Sequence, residues 1–325
     1  MKQGSPAQFV PASNPLATVT VIVVTFNSAE TIVRCIASLT KDLETIVVDN
    51  ASTDGTADLV RKSFPHVRVV RNKSNHGFGA ANNLGLSMAT AQFALLLNPD
   101  AWAEESGSIQ ELAAFMENND AAVACGGRLL NPDGSPQESA CRDLTLWAVF
   151  SEQTFLEKLF PTYWVSLRHL RKSRDPLRVS QVMGACLLMR RVDRSFLKFD
   201  ERFFLYCEDT ELSARLQDCG SIWYLPSALF GHDLGSSSLN NRWQSIAYYN
   251  RGKELYFAIH HGKGAAVAAW LLNRFGATLR LAMWGMATIT TLFTVPKFRA
   301  KAAMFVKVLF APLDPYSRHN RASRV

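Results

Sequence analysis

The stretch TVTVIVV, residues 18–24, is almost wholly apolar and rich in β-branched side chains. A run without a polar face is typical of a strand that is covered on both sides in a parallel sheet. The run ends at Thr25, Phe26 and Asn27, and apolar residues then recur at helical spacing from about residue 29 to residue 39. The sequence here therefore predicts a strand followed by a helix.

The same alternation continues over the first hundred residues. Strands are predicted at 44–48, 67–70 and 92–97, and helices near 57–60 and over 79–90. This alternation of short strands and helices is typical of an α/β fold with a parallel, doubly wound sheet. In such sheets ligands bind at the carboxyl ends of the strands. Polar residues follow the predicted strands at that edge: Thr25, Asn27, Asp49, Asn50, Arg71, Asn72, Asn98 and Asp100.

The second half of the chain is less regular. Residues 179–191 predict a strand broken at Gly184. A helix is predicted to begin at Glu208 or Asp209 and to end at Gly220, because glycine is the usual stop. The following SIWYLP predicts one more strand.

Charge is distributed unevenly. Residues 1–240 carry 22 Lys or Arg and 26 Asp or Glu, whereas residues 241–325 carry 13 bases and two acids. A basic segment of this kind fits an anionic membrane surface or a nucleic acid. More bases lie within 168–178, but no nucleic-acid-binding module accompanies them, so no nucleic-acid partner is expected.

The C-terminal segment also differs in composition. Residues 264–296 are nearly all small or apolar, but their longest uncharged run, 281–296, is shorter than the roughly 20 residues of a simple spanning helix. Bases follow among hydrophobic residues, which predicts one or two helices lying in a membrane interface. The alternative is a pair of helices that completes the soluble core.

The cysteines and the N-terminus bear on the compartment. The six cysteines are scattered and include no CxxC pair, which predicts reduced thiols and no structural zinc site. Residues 1–17 contain no apolar segment typical of a signal peptide, so they are predicted to be an N-terminal extension of a cytoplasmic protein.

The heptapeptide HGFGAAN, residues 76–82, resembles the glycine-rich turn of dinucleotide-binding oxidoreductases. That turn should follow the first strand and precede an acid by about twenty residues. Here the glycines follow the third predicted strand, and the turn after the first strand, TFNSAET, contains no glycine. The pattern therefore does not support an oxidoreductase.

Two single acids stand at strand ends. Asp49 could accept hydrogen bonds from a ribose or a pyrimidine ring, or it could form an Asx turn. Asp100, at the end of LLLNPDAW, could bind Mg²⁺ or Mn²⁺ between two phosphates, because the substrate and water supply most ligands of such ions. It could equally be the polar cap of its strand.

Two further motifs carry the same ambiguity. Glu208 and Asp209, in CEDTEL, could stabilise a helix N-terminus or could supply a general base for a hydroxyl proton. His232, in FGHDLGSS, follows a predicted strand, and a lone histidine can be structural or a metal ligand.

Taken in order, these motifs resemble family-2 glycosyltransferases over about residues 18–240. The motifs are VTVIVVTFNSAETIVRCIASL, TIVVDNASTDGT, RNKSNHGFGAANNLGL, ALLLNPDAW, GACLLMRR, FFLYCEDTELSARL and GHDLGSSS. The sequence is similar to the bacterial rhamnosyltransferase branch, in which LLLNPD commonly stands where relatives carry a DxD motif.

The resemblance implies a nucleotide-diphospho-sugar transferase (GT-A) fold, a mostly parallel central sheet and inversion at the anomeric carbon. It also implies a divalent metal, Mg²⁺ or Mn²⁺, although Asn98 replaces the first acid of the usual pair. The implied site has Asp209 as the catalytic base and Glu208 as second choice or acceptor ligand, with Asp100 and His232 at the metal or diphosphate. The residues implied around the nucleotide and sugar are Thr25, Asn27, Asp49, Asn75, Gly77 and Asn82.

The resemblance finally implies partners and a division of the chain. The expected partners are a nucleotide-diphosphate sugar, such as dTDP-rhamnose, and a polyprenyl-diphosphate-linked glycan at the cytoplasmic face of the bacterial inner membrane. Residues 18–125 would bind the nucleotide sugar, 126–244 would carry the acceptor and catalytic half, and 245–325 would be membrane-associated helices. A membrane-bound binding module without activity is the alternative.

Overall fold

A computed structural model describes residues 18–159, 174–192, 195–233 and 242–312. The predicted N-terminal extension, 1–17, lies outside the described residues. So do most of the basic stretch within 168–178 and the small-residue loop after Asp233.

The first half of the chain forms the predicted alternation of strands and helices. Its bounds are β1 Val19–Thr25, α1 Ile32–Ala37, β2 Glu44–Asp49, α2 Thr56–Ser63, β3 Arg68–Arg71, α3 Phe78–Met88 and β4 Phe93–Leu97. Every residue of β1 and β4 is buried, because helices cover both faces of these strands. The expectation drawn from the apolar TVTVIVV run is confirmed.

The second half contains the remaining strands and several short helices. Their bounds are β5 Ala101–Ala103, α4 Ser108–Glu117, β6 Ala122–Leu130, β7 Ala140–Cys141, α5 Leu146–Gln153, α6 Leu156–Leu159, β8 Leu177–Val179, β9 Gln181–Val182, β10 Cys186–Arg190, α7 Glu208–Cys219 and β11 Ser221–His232. The predicted break at Gly184 separates β9 from β10, and α7 begins at Glu208 as one of the two predicted starts.

Within the described residues, the central sheet has the order β3-β2-β1-β4-β10-β6-β11-β5, and β8 also pairs with β11. Strands β1 to β4 pair in parallel, as does β6 with β11, whereas β10 runs antiparallel to both β4 and β6. The fold is the predicted α/β class with a mixed sheet. Strand β6 runs through the predicted boundary between residues 125 and 126, so both halves share one sheet.

The described part of the C-terminal segment, 242–312, forms three helices, of which the last two agree with the one or two helices predicted after residue 264. They are α8 Arg242–His260, α9 Gly262–Thr290 and α10 Pro296–Leu309. Among the described residues, none of the helices combines the length and apolarity needed to cross a bilayer. Helix α9 packs against α5, α8 and α10, so part of the predicted interfacial segment adds to the core.

Helix α8 packs directly against the chain that precedes α7. Tyr206 and Cys207 both have left-handed backbone conformations, with φ of 70° and 66°. Residues with side chains adopt this conformation only where the surrounding structure enforces it. Gly252 of α8 permits the close approach, because a Cβ at that position would lie 2.6 Å from the Tyr206 carbonyl oxygen.

The same interface contains a buried ion pair. Lys253 Nζ lies 2.8 Å from Glu152 Oε2 at the end of α5, and the lysine side chain is 0% exposed. The ammonium also lies 4.2 Å from the ring centroid of Tyr249. Because a buried charge without its partner is costly, removal of one member of this pair is expected to destabilise the contact between α5 and α8.

We expect Lys253→Met to lower the free energy of unfolding by about 2–4 kcal/mol, because it leaves the Glu152 carboxylate without its counter-charge. Urea denaturation measures the change. Lys263→Met is the matched control, because Lys263 is exposed and its replacement should cost less than about 0.5 kcal/mol. Equal losses in the two variants would contradict the assigned role of the pair.

Candidate active site

Asp49, at the end of β2, is wholly buried and hydrogen-bonded. Its Oδ1 accepts a bond from Thr25 Oγ1 at 3.0 Å, and its Oδ2 accepts one from the Ser52 amide at 3.1 Å. Arg71 Nε, from the neighbouring β3, lies 3.4 Å from Oδ2. Asp49 therefore forms the turn that was the structural alternative, and its role in binding a nucleotide base stays a prediction.

Asn27 lies beside this turn and is exposed. It has a left-handed backbone with φ of 53°, and its amide donates to Ser52 Oγ at 2.9 Å. Its Oδ1 accepts a bond from the Thr53 amide at 2.8 Å. The loops after β1 and β2 are thus joined into one surface at the carboxyl edge of the sheet, where the nucleotide site is predicted.

Asn50 organises the next loop, and the sequence reasoning did not include it among the site residues. Its Nδ2 donates to Asn75 Oδ1 at 2.8 Å and to the Gly77 carbonyl at 3.1 Å. Its Oδ1 accepts from Asn72 Nδ2 and from the His76 amide, both at 3.1 Å. The only sequence signal was its position at a strand end beside Asp49.

Gly77 and Asn82 belong to the start of α3, and they differ in placement. Gly77 has φ of 89°, and a Cβ there would lie 2.5 Å from the Phe204 carbonyl oxygen, so the position requires glycine. Asn82 is buried and donates to the Phe78 carbonyl within its own helix. Asn75 lines a cavity of about 410 Å³ between this loop and the segment around Phe204.

Asp100 and His232 are brought together although they lie far apart in sequence. Asp100 follows β4, His232 ends β11, and pairing of β11 with β5 sets His232 opposite Ala101. His232 Nε2 lies 3.4 Å from Asp100 Oδ1, and both side chains are nearly buried. Gln137, which the sequence reasoning missed, accepts from His232 Nδ1 at 3.1 Å and donates to the His232 carbonyl.

The donor set of this pair fits a divalent cation. Because Gln137 Oε1 accepts the proton on Nδ1, it is the other ring nitrogen of His232, Nε2, that faces the carboxylate of Asp100. A metal-binding histidine is commonly held through its other ring nitrogen in this way. No group of three or more acidic, histidine or cysteine ligands occurs among the described residues, so phosphate oxygens and water would complete the shell.

A short segment before β10 connects this pair to the second acid pair. The Asn98 amide donates to the Ala185 carbonyl at 3.0 Å, and the Gly184 amide donates to Asp209 Oδ2 at 3.1 Å. The loop carrying Asp100 and the start of α7 are therefore linked through two adjacent residues. Asn98 Oδ1 is buried without a hydrogen-bond partner in the described part of the chain.

Glu208 and Asp209 have different environments. Asp209 is partly buried, and its carboxylate accepts bonds from the amides of Gly184 and Thr210. Burial raises its pKa, and these amide bonds oppose the rise because they stabilise the ionised form. Burial, and then the charge of Asp209, raise the pKa of Glu208 to about 8. Glu208 is therefore protonated near neutral pH.

Comparison with known proteins now identifies the family. A family model described as Glycosyl transferase family 2 matches residues 20–193, more than half of the chain. The chain belongs to glycosyl transferase family 2. It is therefore a glycosyltransferase, and the resemblance drawn from the seven motifs is confirmed.

Individual relatives agree with this family. The N-acetylglucosaminyl-diphospho-decaprenol L-rhamnosyltransferase of Mycobacterium tuberculosis is 29% identical over 274 residues, which are 78% of this chain and 88% of that protein. The mannosyltransferase PcManGT from Pyrobaculum calidifontis, solved with GDP-Man and Mn²⁺, is 17% identical, with a TM-score of 0.52 over 92% of this chain and 89% of that one.

A second solved structure is GalNAc-T7 with UDP, GalNAc and Mn²⁺. It is 18% identical, with a TM-score of 0.55 over 94% of this chain and 59% of that one. At these identities the two structures show the fold, and they place this family-2 enzyme in the predicted GT-A class. The assignments of individual site residues stay predictions.

The pKa of Glu208 leads to a stability prediction. Between pH 4.5 and about 8 the folded chain keeps a proton that the unfolded chain releases, so the free energy of unfolding falls as pH rises through that window. Glu208→Gln removes the titrating group and should flatten this decline, which urea denaturation at pH 5, 7 and 8.5 would measure. Glu30→Gln, at an exposed position, should keep the wild-type slope. An unchanged slope in Glu208→Gln would contradict the assignment.

Proposed function

We propose that this family-2 enzyme transfers rhamnose from dTDP-rhamnose to a hydroxyl of a polyprenyl-diphosphate-linked glycan, with inversion, during assembly of a cell-envelope polysaccharide. One structural observation carries the reaction type: the segment Gly184–Ala185 contacts both the Asp100 loop and Asp209. The donor and acceptor are supported by the mycobacterial relative, whose name specifies rhamnosyl transfer to a diphospho-decaprenol-linked sugar.

The nucleotide would occupy the carboxyl edge of β1, β2 and β3. Asn27 offers an exposed amide side chain there, and the Asn50 network holds the loop carrying Asn75 and Gly77. Asp49 would reach the base only with its present hydrogen bonds rearranged. Its more direct contribution is to shape the pocket by joining Thr25, Ser52 and Arg71.

Asp100 and His232 would hold Mg²⁺ or Mn²⁺ together with the donor diphosphate. The ion, when bound, neutralises charge that develops on the leaving nucleoside diphosphate. A carboxylate and an imidazole suit Mn²⁺ better than Mg²⁺, which prefers oxygen ligands. Gln137 is a positioning residue, because it sets the ring orientation and tautomer of His232 without facing the diphosphate itself.

Asp209 is proposed as the base. The acceptor hydroxyl oxygen forms a bond to the anomeric carbon and loses its proton to the Asp209 carboxylate, while the bond from that carbon to the diphosphate oxygen breaks. The leaving diphosphate keeps the electron pair, so no covalent intermediate is required. Glu208 is less suited to the role, because its buried carboxyl is protonated near neutral pH.

Localisation follows from the proposed acceptor. A polyprenyl chain keeps the acceptor at the bilayer, and we propose that the enzyme works there as a peripheral protein at the cytoplasmic surface. The excess of bases after residue 241 supports this placement, because anionic lipids attract such segments.

We expect Asp209→Asn to lower kcat about 10²–10⁴-fold while donor binding stays within about twofold of wild type, because the amide cannot accept the hydroxyl proton. The measurement is transfer from dTDP-rhamnose to a lipid-linked N-acetylglucosamine acceptor, with nucleotide binding measured by calorimetry. Asp218→Asn, an exposed position on the same helix, is the matched control and should retain activity.

Three outcomes would overturn parts of this proposal. Turnover with a UDP- or GDP-sugar and none with dTDP-rhamnose would reject the donor. Full activity in Asp209→Asn would reject the base. Nucleotide binding without transfer or donor hydrolysis for any donor in the wild type would favour the alternative, a binding module that retains the fold.

The metal site has its own readout. We expect Mn²⁺ to strengthen dTDP binding, and we expect Asp100→Asn or His232→Ala to abolish that gain because each removes a ligand. Gln137→Leu should weaken Mn²⁺ binding about 10–100-fold, as loss of a group supporting a ligand does. Calorimetry with and without Mn²⁺ measures each effect, and Asp58→Asn at an exposed surface carboxylate is the control. A wild-type Mn²⁺ response in Asp100→Asn would contradict the site.

A further inference from the structure

Helix α9 has one face of large apolar side chains that remain partly exposed in the described part of the chain. These residues recur every three or four positions and therefore share one side of the helix. Their exposed fractions range from 36% to 62%. The α9 stripe, as we call this set, consists of Val267, Leu271, Phe275, Leu279, Met283, Met286 and Ile289.

The two arginines that interrupt the apolar sequence do not lie on this face. Arg274 donates to the carbonyls of Val308 and Leu309 at the end of α10. Arg280 donates to the carbonyls of Glu152 and Gln153 at the end of α5. Both guanidinium groups therefore serve internal helix ends, which leaves the exposed face of α9 without charge from Gly264 to Thr290.

The opposite face of α9 accounts for its packing. Ala269, Gly276 and Ala277 are small and buried or closely packed, and a Cβ at Gly276 would overlap Gln153. Asn273 donates to Glu254 Oε1 and to the Asn250 carbonyl of α8. Because the fold uses only this inner face, the α9 stripe is not required to hold the described core together.

An exposed apolar row of this length in water marks a surface that binds something else. The charge around it selects the partner: residues 262–312 contain seven Lys or Arg and no acid. Lys297 and Arg299 are exposed in the first turn of α10, within ten residues of Ile289, where the stripe ends. A second copy of the chain would bring the same positive charge, so symmetric pairing is disfavoured, whereas an anionic lipid surface is complementary.

We propose that the α9 stripe, with the exposed α10 bases Lys297, Arg299 and Lys307, is the docking surface for an anionic phospholipid bilayer, with α9 lying in the plane of the interface. This docking surface rests on the proposed function for one point: the lipid-linked acceptor is the reason why a glycosyltransferase would bind a bilayer. A helix with an uncharged apolar face and flanking bases inserts to the depth of the headgroup and acyl boundary.

This docking would set the height of the active site above the lipid. The inner face of α9 is joined to α8 through Asn273 and Glu254. Helix α8 in turn contacts Tyr206 and Cys207, immediately before Glu208 of α7. A continuous set of packed helices therefore connects the lipid-facing side chains to the segment that positions Asp209, which suits an acceptor whose reactive sugar lies one diphosphate away from the bilayer.

The test is flotation of the purified full-length chain with two kinds of vesicle. One is phosphatidylcholine alone, and the other contains about 30% phosphatidylglycerol, an anionic lipid that gives the surface a negative potential. We expect the wild type to float with the anionic vesicles and to be released as salt is raised. The variant Leu271→Gln, Phe275→Gln and Met286→Gln should lose bound fraction by on the order of tenfold or more. Circular dichroism checks that it folds.

Charge is tested separately with two triple variants of equal net charge. Lys297→Glu, Arg299→Glu and Lys307→Glu should abolish binding to the anionic vesicles. The matched control replaces three exposed bases of the nucleotide-binding half, with Lys41→Glu, Lys62→Glu and Arg68→Glu. This variant should bind the anionic vesicles as the wild type does.

Three results would overturn the docking surface. The first is that the wild type does not float with anionic vesicles. The second is that the triple glutamine variant floats as well as the wild type. The third is that light scattering shows a wild-type dimer that the glutamine substitutions dissociate. Flotation needs no turnover, so it fails independently of the proposed reaction. If the reaction is wrong, wild type and variants alike show no transfer to a water-soluble N-acetylglucosaminyl diphosphate, whatever the vesicles show.

Discussion

The arrangement of the site depends on two hydrogen bonds made by the backbone of adjacent residues, Gly184 and Ala185. Ala185 accepts from Asn98, and Gly184 donates to Asp209. The first bond holds the end of β4 against the start of β10, and the second holds the start of α7 against the same turn. Because hydrogen bonds are short and directional, the segments that carry Asp100 and Asp209 cannot move apart without breaking one of these two bonds.

That constraint requires β10 to run antiparallel between two strands of the opposite direction. Strand β10 enters the sheet at the edge where β4 ends, so residues 183–185 lie at the carboxyl end of the parallel strands. If β10 ran parallel to β4, its last residue would lie beside the end of β4. Gly184, which precedes β10, would then lie at the opposite edge of the sheet. The mixed sheet is thus what lets chain from the second half contribute to a site otherwise built by β1 to β4.

The two neighbouring acids of α7 are both buried but differ in their hydrogen bonds. Both are withdrawn from water, which raises the pKa of each. Asp209 recovers stabilisation of its ionised form from two amides, whereas Glu208 Oε2 has no hydrogen-bond partner among the described residues. A charge without such bonds is costly in an apolar environment. Burial, the charge of Asp209 and the difference in hydrogen bonding together make Asp209 the ionisable member of the pair and Glu208 the neutral one.

Much of the fold was determined by the sequence alone, because strands buried on both faces and helices with one apolar side leave periodic patterns. The apolar runs at β1, β2 and β4, the break at Gly184 and the start of α7 follow from such patterns, and the ordered motifs were sufficient for the family.

Tertiary structure decided the remaining features, because they depend on contacts between residues that are distant in the sequence. Asp100 meets His232 only through the pairing of β5 with β11, Gln137 reaches that histidine from another segment, and Arg280 turns inward only because the end of α5 offers it carbonyl groups. Local composition does not indicate a partner that lies 95 or more residues away in the sequence, so these features require the folded chain.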